Sequence, residues 1–342
     1  MNRPTQVDVA QRAGVSRATV SYVLNGKVDK LLSIPEETRQ RVLDAIEELG
    51  YEPDARAQAL RSGSTHTIAL IIPDLRNPHF CEYATGVEET ARAAGYHLLI
   101  SSTTLNDEYA VDIFRDLAKR RFDGLIIASS FILESTEAQS TLARIQERGL
   151  PVVEMNELYG IDSVSANYRE ATKEVLSYLL SLGHRRIGFV YGVGAHEDGL
   201  DRLEPYKESL GAAGIPIEKS LIIECGPTIE DGYQAALKLL RLETRPTAII
   251  AINDLLAIST FRAAGDLGLQ IPNDLSVVGY DDIPMAKYLL PRLTTVSKDA
   301  HTLGMQAFES LLERIQNPDL PHRRVQGLAK VIVRESTGPA PF

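Results

Sequence analysis

The sequence predicts a small all-α headpiece joined to a doubly wound α/β core, and three features of its 342 residues predict it. In the first ~60 residues no Val/Ile run stands between turn signals; Ala13-Gly14, Asn25-Gly26 and Leu49-Gly50 instead punctuate short amphipathic stretches. From Ile68 onward short apolar runs recur: IALII, HLLI, GLIIA, PVVEM, RIGFVY, LIIE, TAIIAI and SVVGY, each expected to lead into a helical segment of ten or more residues. Such alternation marks parallel βαβ units with helices on both faces of a sheet. Between the two textures lies DARAQALRSGSTH, Ala-rich and then Gly/Ser-rich, able to form a helix but with little apolar surface to bury.

The headpiece elements follow from local chemistry. Val7 to Arg12 reads as one helix, ended at Ala13-Gly14. Ser16 can cap a second, which runs to Leu24 and stops at the αL-tolerant pair Asn25-Gly26. A third is expected to begin near Ser33-Ile34-Pro35-Glu36, where a hydroxyl cap, a first-turn proline and early acids coincide, and to run to Leu49-Gly50. Its apolar positions Val42, Ile46 and Leu49 share one face.

Bulk properties exclude several classes. The hydrophobic fraction of 44% suits a globular chain long enough for more than one core. No run of 18 apolar residues occurs, and the start MNRPTQVDVAQRAG lacks the apolar centre of an export signal, so a cytosolic protein without membrane contact is expected. Cys81 and Cys225 stand far apart without CxxC spacing, which fits reduced packing residues rather than a disulfide or metal site. The formal net charge is −10, yet residues 1 to 30 set Arg3, Arg12, Arg17, Lys27 and Lys30 against only Asp8 and Asp29. A local cationic end on an acidic body favours a polyanion at the N-terminus.

On the second helix Val20, Val23 and Leu24 point one way, toward Val9, Ala10 and Ala13 of the first, and leave Arg17, Ala18, Ser21 and Tyr22 outward. A helix with a basic N-terminal end and small exposed side chains fits the major groove of DNA. Ser16, Thr19 and Asn25 flank that face and can hold phosphates. The stretch VDVAQRAGVSRATVSYVLNG followed by SIPEETRQRVLDAIEELGYEPDARAQAL resembles the headpiece of the LacI/GalR family of transcriptional repressors. The likeness continues through RNPHF, GHRRIGFVYG, RLEPY, IAIND and VVGYDDIPMAKYLLPRLTTV, from Val7 to Glu335.

The resemblance implies a helix-turn-helix headpiece (1–50), a hinge helix and linker (51–65) and a two-lobed periplasmic-binding-protein-like core of two doubly wound parallel sheets (66–342). The N-lobe would hold about 66–165 plus a returning segment near 295–320, and the C-lobe about 166–294 plus the C-terminal strand. Arg17, Ala18 and Tyr22 would face bases, and Leu60 would be a wedge in the minor groove at the operator centre. Tyr22 stands where the family commonly has arginine.

In open α/β sheets ligands gather beyond the carboxyl ends of strands. Asn77 and Phe80 follow IALIIPD, Asn156 follows PVVEM, Asn253 and Asp254 follow TAIIAI, and Asp281 follows SVVGY; Arg202 is expected to open the helix after RIGFVY and its loop. Amides, carboxylates and an aromatic face suit the hydroxyls and ring of a sugar, and a purine also fits such a set. The resemblance supports Arg202, Asn253 and Asp281, and places His79 and Phe80 at the family's first-strand aromatic site. Asn156 stands where the family usually has aspartate, and Pro227 about where several members have an aromatic wall.

The expected molecule is a transcriptional regulator, a repressor, acting as a homodimer on a pseudo-palindromic double-stranded operator under control of a small-molecule effector. No cofactor is called for, and the tail TGPAPF has no heptads to support a helical tetramer. An enzyme is disfavoured. Gly192-Val193-Gly194 lacks the third glycine of a dinucleotide fingerprint, His196-Glu197 lacks a second histidine, and neither GxSxG nor GxxxxGK[ST] occurs. The alternative is a sugar-binding transport or receptor protein with no DNA role, which would share the core but not the headpiece.

Overall fold

The computed structural model describes residues 4–25, 34–52, 63–119, 122–133, 135–155, 161–192, 197–226 and 228–341. Contacts divide the chain into two units, Met1–Thr65 and His66–Phe342.

The first unit holds three helices, α1 (Gln6–Ala13), α2 (Arg17–Asn25) and α3 (Glu36–Leu49). Helix α1 starts one residue before the expected Val7, because Thr5 and Asp8 form a reciprocal cap: the Asp8 amide donates to the Thr5 hydroxyl and the Thr5 amide donates to Asp8 at 2.7 Å. The Thr5 hydroxyl, which donates to the carboxylate at 2.7 Å, and then the Thr5 amide hold the Asp8 carboxyl below its usual value. Gly14 ends α1 at φ 67°, a left-handed geometry that leaves the chain free to turn into α2. Pro35 occupies the cap position of α3 without a side-chain bond, so the proline sits one position earlier than expected; Ser33 lies outside the described residues. Val9, Ala10, Ala13, Val20, Val42, Ala45 and Tyr51 form the buried core, with Val23, Leu24, Ile46 and Leu49 half-buried around it. Full burial is worth about 1.5–3 kcal/mol for a large apolar side chain, so so small a core leaves the headpiece modestly stable.

The second unit contains two six-stranded sheets. The first comprises β1 (Thr67–Ile72), β2 (His97–Ser102), β3 (Gly124–Ile127), β4 (Val152–Glu154), β5 (Asp162–Asn167) and β11 (Arg324–Leu328), in the order β11-β5-β4-β3-β1-β2 and parallel throughout. The second comprises β6 (Ile187–Gly192), β7 (Ile222–Cys225), β8 (Ala248–Ala251), β9 (Ser276–Tyr280), β10 (Thr294–Ser297) and β12 (Lys330–Ile332), in the order β12-β10-β9-β8-β6-β7. Among the described residues only the β10–β12 pairing is antiparallel. The expected pair of doubly wound sheets is therefore present.

Helices α4 (Pro78–Ala93), α5 (Asp107–Lys119), α6 (Thr136–Glu147), α7 (Arg169–Ser181), α8 (Glu197–Ala212), α9 (Ile229–Leu240), α10 (Asp254–Asp266) and α11 (Ala300–Gln316) complete the unit among the described residues. Central strands β1, β3 and β8 are almost wholly buried, as parallel strands covered on both faces must be. Helix α11, late in the chain, returns to the first sheet and packs on α4, with Ala300, Leu303, Ala307, Phe308 and Leu311 in the core around Ile68 and Leu70. Two expected strand-to-helix steps differ. PVVEM leads to the polar strand β5, and SVVGY leads to a 3₁₀ turn, Pro284–Lys287, and then β10.

Candidate functional site

The outward face of α2 stands on a buried back. Val20 is fully buried, whereas Ser16, Arg17, Ala18 and Tyr22 are exposed and Thr19 and Ser21 half-exposed. Ser16 caps the helix, its hydroxyl accepting from the Thr19 amide at 3.1 Å and lying 2.9 Å from the Thr19 hydroxyl. Arg17 Nε donates to Gln6 Oε1 at 3.4 Å, which steadies its stem against α1. Six of the eight sequence-derived contact residues thus gather on one surface. The side chain of Asn25 and all of Leu60 lie outside what is described.

In the second unit the ends of strands from both sheets meet around Tyr168, the residue that leads from β5 into α7. The Tyr168 hydroxyl donates to Asp281 Oδ1 at 2.9 Å. The guanidinium of Arg202 stands 4.4 Å from the Tyr168 ring centre and 5.4 Å from that of Tyr280, and the Lys298 ammonium stands 3.8 Å from the Tyr168 ring. Cations over aromatic faces are held by the ring quadrupole, the more so where water is scarce. Arg202 is buried and also donates to the carbonyl of Ile252 at the end of β8. It lies in the second turn of α8 rather than opening it, because that helix begins at Glu197.

From the first sheet, Asn77 caps α4 by accepting from the His79 amide at 3.0 Å, which aims His79 inward. His79 is buried with its ring edge-on to Tyr83 at 4.7 Å and to Phe80 at 5.4 Å. Its Nδ1 lies 3.6 Å from Asp281 Oδ1, beyond hydrogen-bond reach. Burial pushes the imidazole below its usual pKa; Asp281 pulls it up, and Lys298 and Arg202 push it further down. Burial, reinforced by Asp281, holds the Tyr168 phenol well above its ordinary value.

Asp281 and Asp282 carry φ of 101° and 53°, sparsely populated for residues with a Cβ. The surrounding bonds impose that conformation: the Asp281 amide donates to Val296 O at 2.7 Å, and Arg334 donates to the Asp282 carboxylate. Asp281 therefore faces the aromatic cluster while Asp282 is committed to the framework.

Asn253 caps α10 through the Leu256 amide at 2.8 Å and remains half-exposed. Asp254 is different. It is fully buried and accepts from the Thr295 hydroxyl at 2.6 Å and the Ile283 amide at 2.9 Å, so it fixes the turn that carries Asp281 from below. Burial, and then the nearby Asp281 charge, raise its carboxyl well above the usual range. Gly279 makes room for it, since a Cβ there would meet Asp254 Oδ1 at 2.2 Å. Asn156 and Pro227 lie outside the described residues, as do Val193, Gly194 and His196.

The structure thus brings Phe80, His79, Arg202 and Asp281 together, sets Asn77 and Asn253 at helix caps, and seats Asp254 beneath. Sequence reasoning missed Tyr168 and Lys298. The signal available was positional: both follow directly on strand ends, Tyr168 after β5 and Lys298 after β10. Among the described residues no metal-binding cluster occurs, and no helix is long and apolar enough to cross a membrane.

Residues 5–54 match the model of bacterial regulatory proteins of the lacI family, and residues 176–337 match that of a periplasmic binding protein-like domain. The chain is 33% identical over 340 residues to the HTH-type transcriptional regulator DegA of Bacillus subtilis, covering 98% of this chain and 99% of that one. The structure of a lac repressor dimer bound to operator and the anti-inducer ONPF is similar with a TM-score of 0.86 and 26% identity, over 98% of this chain and 100% of that one. A transcriptional regulator CelR–cellobiose complex is similar with a TM-score of 0.71 and 27% identity, over 98% and 100%.

Proposed function

We propose, for a chain that belongs to the lacI family of bacterial regulatory proteins and is a DNA-binding transcriptional regulator rather than an enzyme, how its own residues divide the work. The exposed face of α2 enters the major groove, with Arg17, Ala18, Ser21 and Tyr22 toward bases and Ser16, Thr19 and Asn25 toward phosphates. Leu60 wedges into the minor groove at the operator centre, where unstacking costs a few kcal/mol and is offset by contacts to the bent duplex. One headpiece spans a half-site, so two copies related by a twofold axis read a pseudo-palindrome. The protein acts as a repressor in the bacterial cytoplasm, where that DNA is.

The effector is a sugar held between the two sheets by Phe80, His79, Arg202 and Asp281, with Asn77 and Asn253 at the rim and Asn156 as a further contact expected from the sequence alone. Asp254 supports the site from beneath instead of touching the ligand. The observation that carries this reading is the approach of His79, on α4 beside the first sheet, to Asp281, after β9 of the second, with Nδ1 3.6 Å from Oδ1. Such a ligand shifts the balance between arrangements of the two lobes and so the spacing of two hinge segments, changing operator affinity.

The test is calorimetric titration of sugars and purines into the full-length protein and its Arg202→Ala and Asp281→Ala variants. At least a tenfold loss of affinity in each variant is expected. Unaltered affinity in both would move the effector site elsewhere.

A further inference from the structure

His79 sits at the seam between the two sheets of the second unit. It lies in the first turn of α4, beyond the carboxyl end of β1, and is 8% exposed. Its own helix offers it only rings, with Tyr83 edge-on at 4.7 Å and Phe80 at 5.4 Å. The charged groups that act on it come from other elements: Asp281 from the turn after β9, Lys298 from the segment after β10, and Arg202 from α8. Behind that turn Asp254 is taken up by Thr295 and Ile283, and Asp282 by Arg334. The Nδ1 atom of His79 is buried and has no hydrogen-bond partner among the described residues. Asp281 Oδ1 stands 3.6 Å from it, and the same oxygen already accepts from the Tyr168 hydroxyl at 2.9 Å.

A neutral imidazole fits such a seat, whereas an imidazolium there gives up its water without completing a bond to Asp281. Burial weighs most against the charged ring; Asp281 favours it, and Lys298 and Arg202 oppose it. The seat is built from both sheets, so drawing them apart returns the ring to water, where it takes a proton at about pH 6.5. We propose that His79 is an acid-released catch between the lobes: its neutral ring seats α4 against the turn after β9, and protonation unseats it. The sign follows from linkage. The arrangement with His79 buried is fully favoured above pH ~6.5 and loses ground as pH falls below it, because the separated arrangement binds the extra proton. On the reading proposed above, in which lobe arrangement sets operator affinity, the catch makes that affinity respond to pH without any ligand.

The experiment uses the full-length protein with no small molecule added. Cys81→Ser and Cys225→Ser remove the native thiols, and Ser140→Cys on α6 and Lys238→Cys on α9, both at exposed positions, carry nitroxides on the two lobes. Labelled chains are diluted in unlabelled protein so that pairs within one chain dominate, and the distance distribution is read by pulsed electron resonance from pH 8 to 5.5. The population with the longer separation is expected to rise at least threefold toward acid, and the same variant carrying His79→Gln, whose side chain does not titrate, to lose that response. A distribution that does not change with pH, one that shortens toward acid, or one that changes equally in His79→Gln overturns the inference. A second measurement needs no folded variant at position 79: the His79 ring signal of the wild-type protein, followed by nuclear magnetic resonance, is expected to titrate at lower pH than in the urea-unfolded chain, and a ring that titrates at the same pH or higher overturns the inference. Neither readout involves an effector, so sugar binding that fails at Arg202 and Asp281 moves the cleft and leaves the catch standing, whereas lobes indifferent to pH remove the catch and leave the cleft.

Discussion

The hydroxyl of Tyr168 donates to the carboxylate of Asp281 across 2.9 Å, and with that bond the start of α7, where Tyr168 packs in the core of the second sheet, holds the turn after β9. Tyr168 is also the ring over which Arg202 and Lys298 stand, so the packing of the second sheet and the proposed ligand site share their parts. A ligand that competes for Asp281 would therefore act on that turn.

Tyr168→Phe keeps the ring and both cations but removes the donor. A hydrogen bond to a charged group is worth about 1.5–3 kcal/mol. Denaturant unfolding of the core is expected to show a loss in that range, with ring-dependent near-ultraviolet dichroism otherwise retained. A loss below about 0.5 kcal/mol, on the same scale, would mean that water replaces the hydroxyl and the bond adds little.

Asp254 acts as a buried acceptor for the Ile283 amide and the Thr295 hydroxyl. Asp254→Ala strands both donors and is expected to cost roughly 2–4 kcal/mol, the sum of about 1–3 kcal/mol for each unsatisfied group with partial relaxation. Asp254→Asn preserves an acceptor oxygen and the volume, and is expected to lose about half as much. Urea midpoints of the two variants check the order.

His184 is fully buried, donating from Nε2 to Gly338 O at 3.0 Å, with Nδ1 2.9 Å from the Thr247 hydroxyl. Burial lowers its folded pKa below the usual value. Between the folded pKa and about 6.5 the unfolded chain binds the extra proton, so stability is full above pH ~6.5 and declines as pH falls below it. His79, lowered for the same reason, adds to that slope. His184→Asn is expected to flatten the acid side of a melting-temperature profile between pH 7 and 5. An unchanged slope would assign acid sensitivity to other groups.

Tyr22 is 43% exposed on the outer face of α2, well placed to reach a base edge. An arginine there pairs with the two acceptors of guanine, a contact worth about 1–3 kcal/mol of discrimination. Tyr22→Arg is expected to shift operator preference at one symmetric pair of positions in a binding selection. Preference that stays fixed would show that Tyr22 does not read bases.

Much of this fold could be read from the chain because its logic is local. Val20 against Val9 and Ala13, and the apolar runs of β1, β3 and β8, announce themselves by period and composition. Strand β5, DSVSAN, does not, since its Asp162 and Ser163 are buried through partners far along the chain: Arg314 Nε donates to Asp162 Oδ2 at 2.7 Å. No local pattern can show such a pairing. The site divides in the same way. Residues that follow apolar strands, such as Asn77 and Asp281, were legible by position, whereas the depth of Asp254 depends on Gly279 and Thr295, and the importance of Tyr168 depends on two cations from distant segments.

The most direct measurement is the affinity of the full-length protein for duplexes selected from a randomised pool, titrated against salt with and without a ligand of the proposed cleft. The expected result is an enriched pseudo-palindrome whose log affinity falls steeply and linearly with log salt, and whose affinity the ligand changes by tenfold or more. A pool that yields no enriched sequence, or an operator affinity indifferent to a ligand bound in the cleft, would contradict the account.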